Sequence, residues 1–486
     1  MSTVATAPAQ SAPASGVMVS WKAPLGLGIL AIAGTILFGV FAGAKNAAFG
    51  IVDTGRASSV LAAWLAFAVA LGAAGWLGSV GIRARRAGKP IERWIPPTLA
   101  AAVVVVVLAL LGVAGVTVIT VSSPVVGWIA SLVMLGVAGW SAWLAPRGRK
   151  LPRWAAAAFA VAFVVGFLVW IVAGGRDATP FISLAGLLAG AVTLAVPLVF
   201  GSLSGVLCER SGIVNIAIEG QLLIGAFAAA VGATVTRNVY AGLAAAAIAG
   251  ALVSLVLAVV SIKYLVNQII VGVVLNVLVV GLTNFLFSTL LTANPEGLNK
   301  PPHLSSLEIP VLADVPLIGP ILFRQSLVGY LMYVAVIVVY VGLFHTRWGL
   351  RVRAVGEHPQ AADTLGVNVN RTRFWNTIIG GAVAGIGGSF FTLVAVDAFS
   401  KEMSAGRGYI ALAALIFGRW NPLGAFLASL LFGFADNLQS VITIIGSPVP
   451  SQFMAMLPYV VTVFAVAGLV GRSRPPAMEG IPYVKG

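Results

Sequence analysis

The chain has 486 residues, of which 59% are hydrophobic and only 9% are charged. A soluble domain carries about 25% charged residues, so the composition excludes a water-soluble protein and predicts one embedded in a bilayer. The net charge of +15 would suggest a nucleic-acid partner on a soluble protein. Here the basic residues lie mainly in short loops beside apolar segments, which is the positive-inside pattern. We therefore interpret the charge as membrane topology and expect no nucleic-acid partner.

Side chains that could carry chemistry are few and scattered. There is one cysteine, and there are three histidines, at Cys208, His303, His345 and His358. This excludes an intrachain disulfide and makes a Cys- or His-based metal site implausible. The spacing of a catalytic cluster is absent, which speaks against an enzyme, and no GxxxxGK[ST] phosphate loop occurs. We expect no metal and no cofactor on this chain. If ATP drives it, a separate subunit binds the Mg-ATP.

The N-terminal third predicts a tail and a block of membrane helices. Residues 1–20 are rich in Ala, Ser and Pro, which is typical of disorder. Within 21–178, apolar segments long enough to cross the hydrocarbon are 24–44, 57–82, 97–121, 124–145 and 155–174. The basic connectors 83–93 and 146–153 are predicted to be cytoplasmic. Because these spans carry no charge, we interpret the block as accessory helices that pack together or face lipid.

Residues 179–471 predict nine further spans. They lie near 181–203, 212–236, 239–262, 267–291, 326–345, 374–396, 409–419, 422–444 and 452–471. The Pro-rich segment 292–325 suits an external loop, and the arginines of 346–373 place that segment in the cytoplasm, with the tail 472–486. Residues 409–419 are short for a full crossing, although the charge rule favours one. The prediction is an all-α polytopic protein of about 14 transmembrane helices.

Several polar residues interrupt the spans of this second block. Asn215 and Glu219 are four residues apart, which predicts one shared helical face, and a carboxylate in a span is a functional candidate. Gly212 and Gly220 would allow a broken helix there. A structural polar pair is an equally weighted alternative. The candidates for the substrate pathway are Asn215, Glu219, Gln268, Asn276, Asn284, Asp436 and Asn437; for several of these, interhelical hydrogen bonds worth about 1 kcal/mol are the alternative.

Two small-residue patterns predict close contacts. The glycines between 380 and 388 predict a face for helix packing. In the polar segment 346–373, Pro359 can begin a short helix that carries Ala361, Ala362 and Gly366. We expect that helix to lie parallel to the membrane and to present a nearly smooth face to a groove on a partner. An ordinary solvated loop is the alternative.

Three motifs carry a resemblance to a known family: ERSGIVNIAIEGQLLIGAF (209–227), GLRVRAVGEHPQAADTLGVN (349–368) and AGRGYIALAALIFGRWNPLGAF (405–426). Together they resemble the integral-membrane permeases of ABC importers. The nearest branch includes the branched-chain amino acid, ribose-type sugar and nucleoside permeases, and within it the motifs look most like nucleoside permeases. The extra helices in 20–174 depart from the usual family core.

The resemblance implies an energy-coupling segment that docks into an ABC ATPase subunit. Its residues in this chain would be Arg353, Gly356, Glu357, Pro359, Ala361, Ala362 and Gly366. It also implies a second permease subunit, the same or a paralogue, and an extracellular lipoprotein that delivers substrate at the plasma membrane. The expected function is ATP-driven import of nucleosides. Import of simple sugars or other small polar solutes, and proton-coupled transport through Glu219 or Asp436, are the alternatives.

Overall fold

The computed structural model describes residues 21–41, 46–50, 118–149, 151–174, 181–310, 312–313, 318–445, 456 and 474–484. The predicted tail 1–20, the span 57–82, most of 97–121, and 452–471 apart from Met456 lie outside the described residues. The chain divides into two compact units. The described part of one falls within 21–48 and 120–181, with Ile445. The described part of the other falls within 49–119, 182–444 and 456–484.

The first unit is built around a short helical bundle. Its elements are α1 (Lys22–Gly34, continued by a π-helix Thr35–Val40), α2 (Ser123–Leu144) and α3 (Arg153–Ala173), with strands β1 (Asn46–Gly50) and β2 (Val118–Ser122) at its edges. Phe38 is fully buried, and its ring meets that of Phe163 edge-on at 5.6 Å. A Cβ on Gly127 would lie 1.8 Å from the Phe38 carbonyl oxygen. The bundle therefore depends on a glycine in α2 for its close packing.

The second unit carries the remaining elements. They are β3 (Phe181–Ser183), α4 (Leu184–Glu209), α5 (Ile218–Thr236), α6 (Val239–Ala258), α7 (Gln268–Leu286), α8 (Pro295–Leu298), β4 (Ser306–Glu308), α9 (Ile318–Leu322), β5 (Arg324–Ser326), α10 (Leu327–His345), α11 (Arg347–Glu357), α12 (Pro359–Thr364), α13 (Val369–Phe390), α14 (Arg407–Phe417) and α15 (Pro422–Ile445). Single π-turns extend α6, α7 and α13. In the predicted external loop, β4 and β5 pair antiparallel with Ser306 opposite Ser326.

Glycines bring α13 close to its neighbours, as the sequence predicts. A Cβ on Gly385 would lie 2.1 Å from the carbonyl oxygen of Ala246 in α6. One on Gly388 would lie 2.0 Å from the carbonyl oxygen of Leu222 in α5. Because no larger residue fits at such distances, the small-residue face is confirmed as the contact that seats α13 among α4, α5 and α6.

Ten helices in the described part of the chain are long and apolar enough to cross a membrane. They run over Ala23–Val40, Ser123–Arg147, Trp154–Ala173, Leu184–Glu209, Ile218–Thr236, Val239–Lys263, Gln268–Leu291, Leu327–His345, Val369–Ala395 and Pro422–Ile444. The protein is therefore a mostly helical, polytopic membrane protein, while the predicted count of about 14 spans stays a prediction. The predicted span 409–419 appears as the 11-residue helix α14.

Helix α14 is a half-helix that lies along one half of α4. A Cβ on Gly201 would lie 2.8 Å from Ala411, and one on Gly205 would lie 2.7 Å from Leu415. The contacts advance together along both chains, so the two helices run in the same direction. Because α4 begins at Leu184, α14 begins beside the middle of α4 and ends near its carboxyl end. The non-helical segment 396–406 connects the end of α13 to the start of α14, beside the middle of α4.

Candidate functional site

The chain from the last residue of α4 to the start of α5, residues 209–217, is what we call the junction turn, and it is non-helical from Arg210 onward. Gly212 has φ +94°, and a Cβ there would lie 2.7 Å from the Arg373 guanidinium, so the position favours glycine. Helix α5 begins only at Ile218. The prediction that Asn215 and Glu219 share a helical face is therefore wrong, because Asn215 precedes the helix and the i, i+4 geometry requires both residues within it.

Asn215 belongs to a buried polar network between α4, α5 and α6. Its Nδ2 donates to Ser204 Oγ at 3.0 Å and to Gln221 Oε1 at 3.1 Å. Gln221 Nε2 donates to Asn215 Oδ1 at 3.0 Å and to Ser254 Oγ at 2.7 Å. All four side chains are fully buried, so the network fixes the turn against the helices. Gln221 was not among the predicted residues, although as an amide inside an apolar helix it carries the same signal as Asn276.

Glu219 lies in the first turn of α5 and binds the start of α14. Its Oε1 accepts from Ser404 Oγ at 2.7 Å and from the Gly406 amide at 2.9 Å, and its Oε2 accepts from the Gly408 amide at 2.6 Å. A carboxylate is favoured at a helix N-terminus because the amides there are unpaired and the helix dipole is positive. A Cβ on Gly408 would lie 2.5 Å from Glu219 Cα, so only glycine allows this approach.

The predicted polar face of α7 holds the same region in place. Gln268 Oε1 accepts from the Val214 amide at 2.7 Å. Asn276 Oδ1 accepts from the Gly220 amide at 2.8 Å, and its Nδ2 donates to the Ile216 carbonyl at 2.9 Å. Both side chains are buried and bond to the backbone of the junction turn and of the start of α5. Their predicted place in a substrate pathway stays a prediction.

Asn284 lies further along α7 in a more open position. Its Nδ2 donates to Glu402 Oε1 at 3.2 Å, and Glu402 belongs to the non-helical segment that leads into α14. Nearby, Asn276 Nδ2 also lies 3.3 Å from the hydroxyl of Tyr409, whose side chain is 51% exposed. The open end of this polar row therefore faces the segment just before α14.

Asp436 and Asn437 are in different environments on α15. Asp436 Oδ2 lies 3.5 Å from Nη2 of Arg407, and both side chains are mostly buried. Arg407 is the first residue of α14, where a cation opposes the helix dipole, so Asp436 offsets that charge. Asn437 instead donates to the Leu187 carbonyl in α4 at 2.7 Å, which is a packing role. The structure thus brings Asp436 and Glu219 to the same helix end and leaves Asn437 apart.

The polar segment 346–373 forms α11, α12 and the start of α13. Helix α12 begins at Pro359, as predicted. The predicted smooth outer face is wrong in part, because Ala362 is only 3% exposed and packs with Val355, Val369 and Tyr483. Ala361 is exposed. The outward-facing surface of this segment is therefore formed by Ala361 and its exposed neighbours, and Ala362 is not part of it.

The other predicted coupling residues also divide between inward and outward positions. Gly356 and Pro359 are buried, and Gly366 is exposed with φ +82°. Glu357 Oε2 accepts from the Ala477 amide at 3.2 Å. The Arg353 guanidinium lies 5.1 Å from the ring centroid of Phe344. Ala361 and Gly366, with Leu365 at 84% exposure, form the exposed tip of the segment.

Residues 474–484, which we call the C-terminal strap, cross the inner side of this segment. The Met478 amide donates to the Gly356 carbonyl at 3.0 Å, and the Gly480 amide donates to the Gly212 carbonyl at 3.2 Å. Arg373 Nη1 donates to the Ile481 carbonyl at 2.9 Å. The sequence indicated only a tail here, because backbone contacts of this kind leave no side-chain pattern. The strap ties the predicted coupling segment, residues 346–373, to the junction turn.

The junction turn also reaches the far end of α14. Arg210 Nε donates to the Trp420 carbonyl at 2.9 Å, and the Trp420 indole donates to the Glu209 carboxyl group. Burial lowers the pKa of the Arg210 guanidinium, with nearby Glu357 opposing the shift. Burial raises the pKa of Glu479, and a hydrogen bond with Glu209 opposes that rise. Partly buried ionisable groups therefore cluster where the strap, the turn and the end of α14 meet.

Comparison with known proteins identifies the family. Residues 187–466 match the family described as branched-chain amino acid transport system / permease component. The chain belongs to this permease family. It is 39% identical to a guanosine ABC transporter permease protein of Bacillus subtilis over 313 residues, which covers 60% of this chain and 94% of the relative. It is 38% identical to a nucleoside ABC transporter permease protein of Lactococcus lactis, covering 62% and 96%.

A third relative of the permease differs in its described substrate. A putative glucose ABC transporter permease protein of Haloferax volcanii is 35% identical over 259 residues, covering 52% of this chain and 77% of the relative. The comparison with solved structures finds no match. The region matched to the family contains the junction turn, α14 and the coupling segment, whereas the C-terminal strap lies beyond it. The protein is thus a multi-pass membrane permease, a transport component rather than a catalyst.

Proposed function

We propose that this permease imports nucleosides, with ATP hydrolysed by a separate ABC ATPase subunit and substrate delivered by an extracellular lipoprotein at the plasma membrane. The observation that carries the proposal is the similarity to two nucleoside permeases over almost their whole length, 94% and 96%. A second permease subunit, the same chain or a paralogue, completes the pathway. Simple sugars are the second substrate class, supported by the glucose relative.

The coupling segment is the proposed entry point for the energy of ATP. Its exposed tip at Ala361, Leu365 and Gly366 is available to dock on the ATPase. The buried side of the same segment contacts the junction turn, because a Cβ on Gly356 would lie 2.3 Å from the Arg210 carbonyl oxygen. Arg210 in turn bonds the carbonyl of Trp420. A shift of the tip would therefore act on both α5 and α14 through one turn.

The interior half-helix is the proposed moving part of the pathway. Glu219 holds its starting end through three hydrogen bonds. Tyr409 stands at that end with about half of its side chain exposed, beside the polar row of Asn276 and Asn284. Stacking of a nucleobase on an aromatic ring contributes about 1–3 kcal/mol. We assign Tyr409 and Asn284 to substrate contact, and Asn215, Gln268 and Asn276 to positioning.

Proton-coupled transport is the second mechanism, and the contacts of the two acidic residues favour it less. Glu219 accepts from three donors at once, so a proton arriving there would compete with existing hydrogen bonds. Asp436 is paired with Arg407. Both carboxylates therefore have structural partners that explain their presence in the bundle.

We also propose a total of 14 membrane helices, with the N-terminal block as an accessory part. Ten candidate spans in the described residues, the half-helix α14, and the predicted spans 57–82, 97–121 and 452–471 together make 14. We propose that residues 21–178 are accessory to a core over 179–471, with 472–486 on the cytoplasmic side. The described helices α1 to α3 of this block support the proposal, since they pack around an apolar cluster of their own.

Uptake into proteoliposomes tests the function. The permease is co-reconstituted with its cognate ATPase and receptor protein, and import of labelled guanosine, uridine, glucose and leucine is compared. We expect ATP-dependent nucleoside uptake that vanadate blocks and that a protonophore leaves intact. Uptake of glucose or leucine without nucleosides would overturn the substrate assignment. Uptake that follows a proton gradient without ATP would overturn the energy source.

A further inference from the structure

A polar cavity of about 470 Å³ opens beside the coupling segment, between α11 and the start of α13. Its walls include Arg351 and Arg371, and both arginines are exposed. Among the described residues, neither arginine has an acidic partner within 4 Å. Both arginines line the cavity beside the N-terminus of α13, which adds a partial positive charge. The cavity therefore suits an anion.

Two tryptophans place this cavity at the depth of the membrane surface. Trp348 is 39% exposed and packs on Gly342, close to the end of the span Leu327–His345. Trp375 is 52% exposed and lies six residues into the span Val369–Ala395. Both line the cavity. Exposed tryptophans at the ends of spans lie among lipid headgroups. The position of the cavity therefore favours the phosphate of a lipid headgroup as the anion.

The inner wall of the cavity supplies a hydrogen-bond acceptor. Asn376 lines the cavity and is 1% exposed. Its Nδ2 donates to the Thr372 carbonyl at 2.7 Å, while its Oδ1 has no partner among the described residues. A buried acceptor without a donor destabilises the protein. A hydroxyl or an ammonium group that donates a hydrogen bond to it is therefore favoured there. The cavity thus offers two cations for a phosphate and one acceptor for a donor on the same headgroup.

We propose that this cavity binds the headgroup of an anionic phospholipid from the leaflet that faces the ATPase. The phosphate lies between Arg351 and Arg371, the tryptophans flank the glycerol region, and a headgroup hydroxyl or ammonium approaches Asn376. Basic pockets between transmembrane helices on this side of a membrane bind anionic headgroups in this way. Because Leu365 and Gly366 of the exposed tip line the cavity, the bound lipid fixes the angle at which the coupling segment leaves the membrane.

Lipid retention by the full-length permease tests the proposal. The wild type, R351Q/R371Q and the control R347Q are purified from nanodiscs that contain equal phosphatidylglycerol and phosphatidylcholine, and retained lipid is measured by native mass spectrometry. Arg347 is exposed at the start of α11 and does not line the cavity. We expect the wild type and R347Q to retain phosphatidylglycerol selectively. In the double variant we expect the ratio of retained phosphatidylglycerol to phosphatidylcholine to fall by at least roughly tenfold. Equal retention by all three proteins overturns the site.

Two further arms separate the lipid from other sources of negative charge. Inorganic phosphate at millimolar concentration is added during purification; we expect it to leave lipid retention unchanged, and displacement of the lipid by phosphate alone overturns a lipid-specific site. Capture of the ATPase subunit is then measured for the same variants. Loss of capture by R351Q/R371Q with unchanged lipid retention assigns the arginines to protein docking and overturns the proposal. The single variants R351Q and R371Q, each with one arginine left, should lose part of the preference while keeping the wild-type melting temperature.

Discussion

The two ends of the half-helix α14 are held in different ways. At its beginning, one carboxylate, Glu219, accepts from a hydroxyl and two backbone amides within 2.6–2.9 Å. At its end, the carbonyl and indole of Trp420 bond to Arg210 and Glu209 in the junction turn. The first end is a local contact between two helix starts. The second is shared with α11 and the C-terminal strap, which touch the same turn.

This difference indicates which end can receive a signal. The contact at Glu219 is satisfied by Ser404, Gly406 and Gly408, none of which lies in the segment 346–373. The junction turn, in contrast, lies against Gly356 on one side and Trp420 on the other. Coupling between distant sites needs such a contiguous set of packed groups with more than one arrangement. We therefore infer that the junction turn transmits movement and that Glu219 acts as a fixed pivot.

The largest effect is expected from Gly356→Val, which disrupts the contact between α11 and the junction turn. The added side chain would begin 2.3 Å from the Arg210 carbonyl oxygen, and a backbone group cannot move aside as a flexible side chain can. We expect substrate uptake to fall by at least roughly tenfold, since coupling free energies of about 1–3 kcal/mol are typical. Membrane insertion, measured by expression and protease accessibility, should persist. The control is Gly281→Val in α7, where a Cβ meets nothing within 4 Å. Equal uptake by both variants would contradict the contact's role.

A smaller effect is expected from Glu219→Gln, which weakens the pivot. The amide keeps one acceptor oxygen, but its NH₂ group would face a backbone N–H that now has no acceptor, at a cost of about 1–3 kcal/mol. We expect a lower melting temperature together with a partial loss of uptake, in contrast to Gly356→Val. Glu296→Gln, at an exposed position paired with Lys300, is the matched control. A Glu219→Gln protein with wild-type melting temperature and uptake would contradict the role of Glu219 as a pivot for α14.

Composition and local pattern were sufficient for the large features. The apolar runs predict most of the long helices in the described residues, and the glycines of α13 predict its close contacts. Pro359 correctly predicts the start of α12. Each of these depends on residues near each other in the chain, where helical periodicity and propensity act directly.

Features that depend on distant contacts were not predictable in the same way. The pairing of Asn215 and Glu219 fails because α5 starts three residues after Asn215, and the start is fixed by bonds from Gln268 and Asn276 in another helix. The cluster around Ala362 includes Tyr483, which is more than a hundred positions away. The strap is held mainly by backbone carbonyls, whose bonding pattern no residue type reveals.

The central claim is that the junction turn connects the proposed coupling segment to α14, and the variant Arg210→Met tests it most directly. Methionine keeps much of the side-chain volume but removes the bond to the Trp420 carbonyl. The quantity to measure is the number of nucleosides imported per ATP hydrolysed in the reconstituted transporter, with Arg347→Met as the control. We predict that ATP hydrolysis persists in Arg210→Met while import per ATP falls several-fold, and that the control matches the wild type. A wild-type ratio in Arg210→Met would contradict the account.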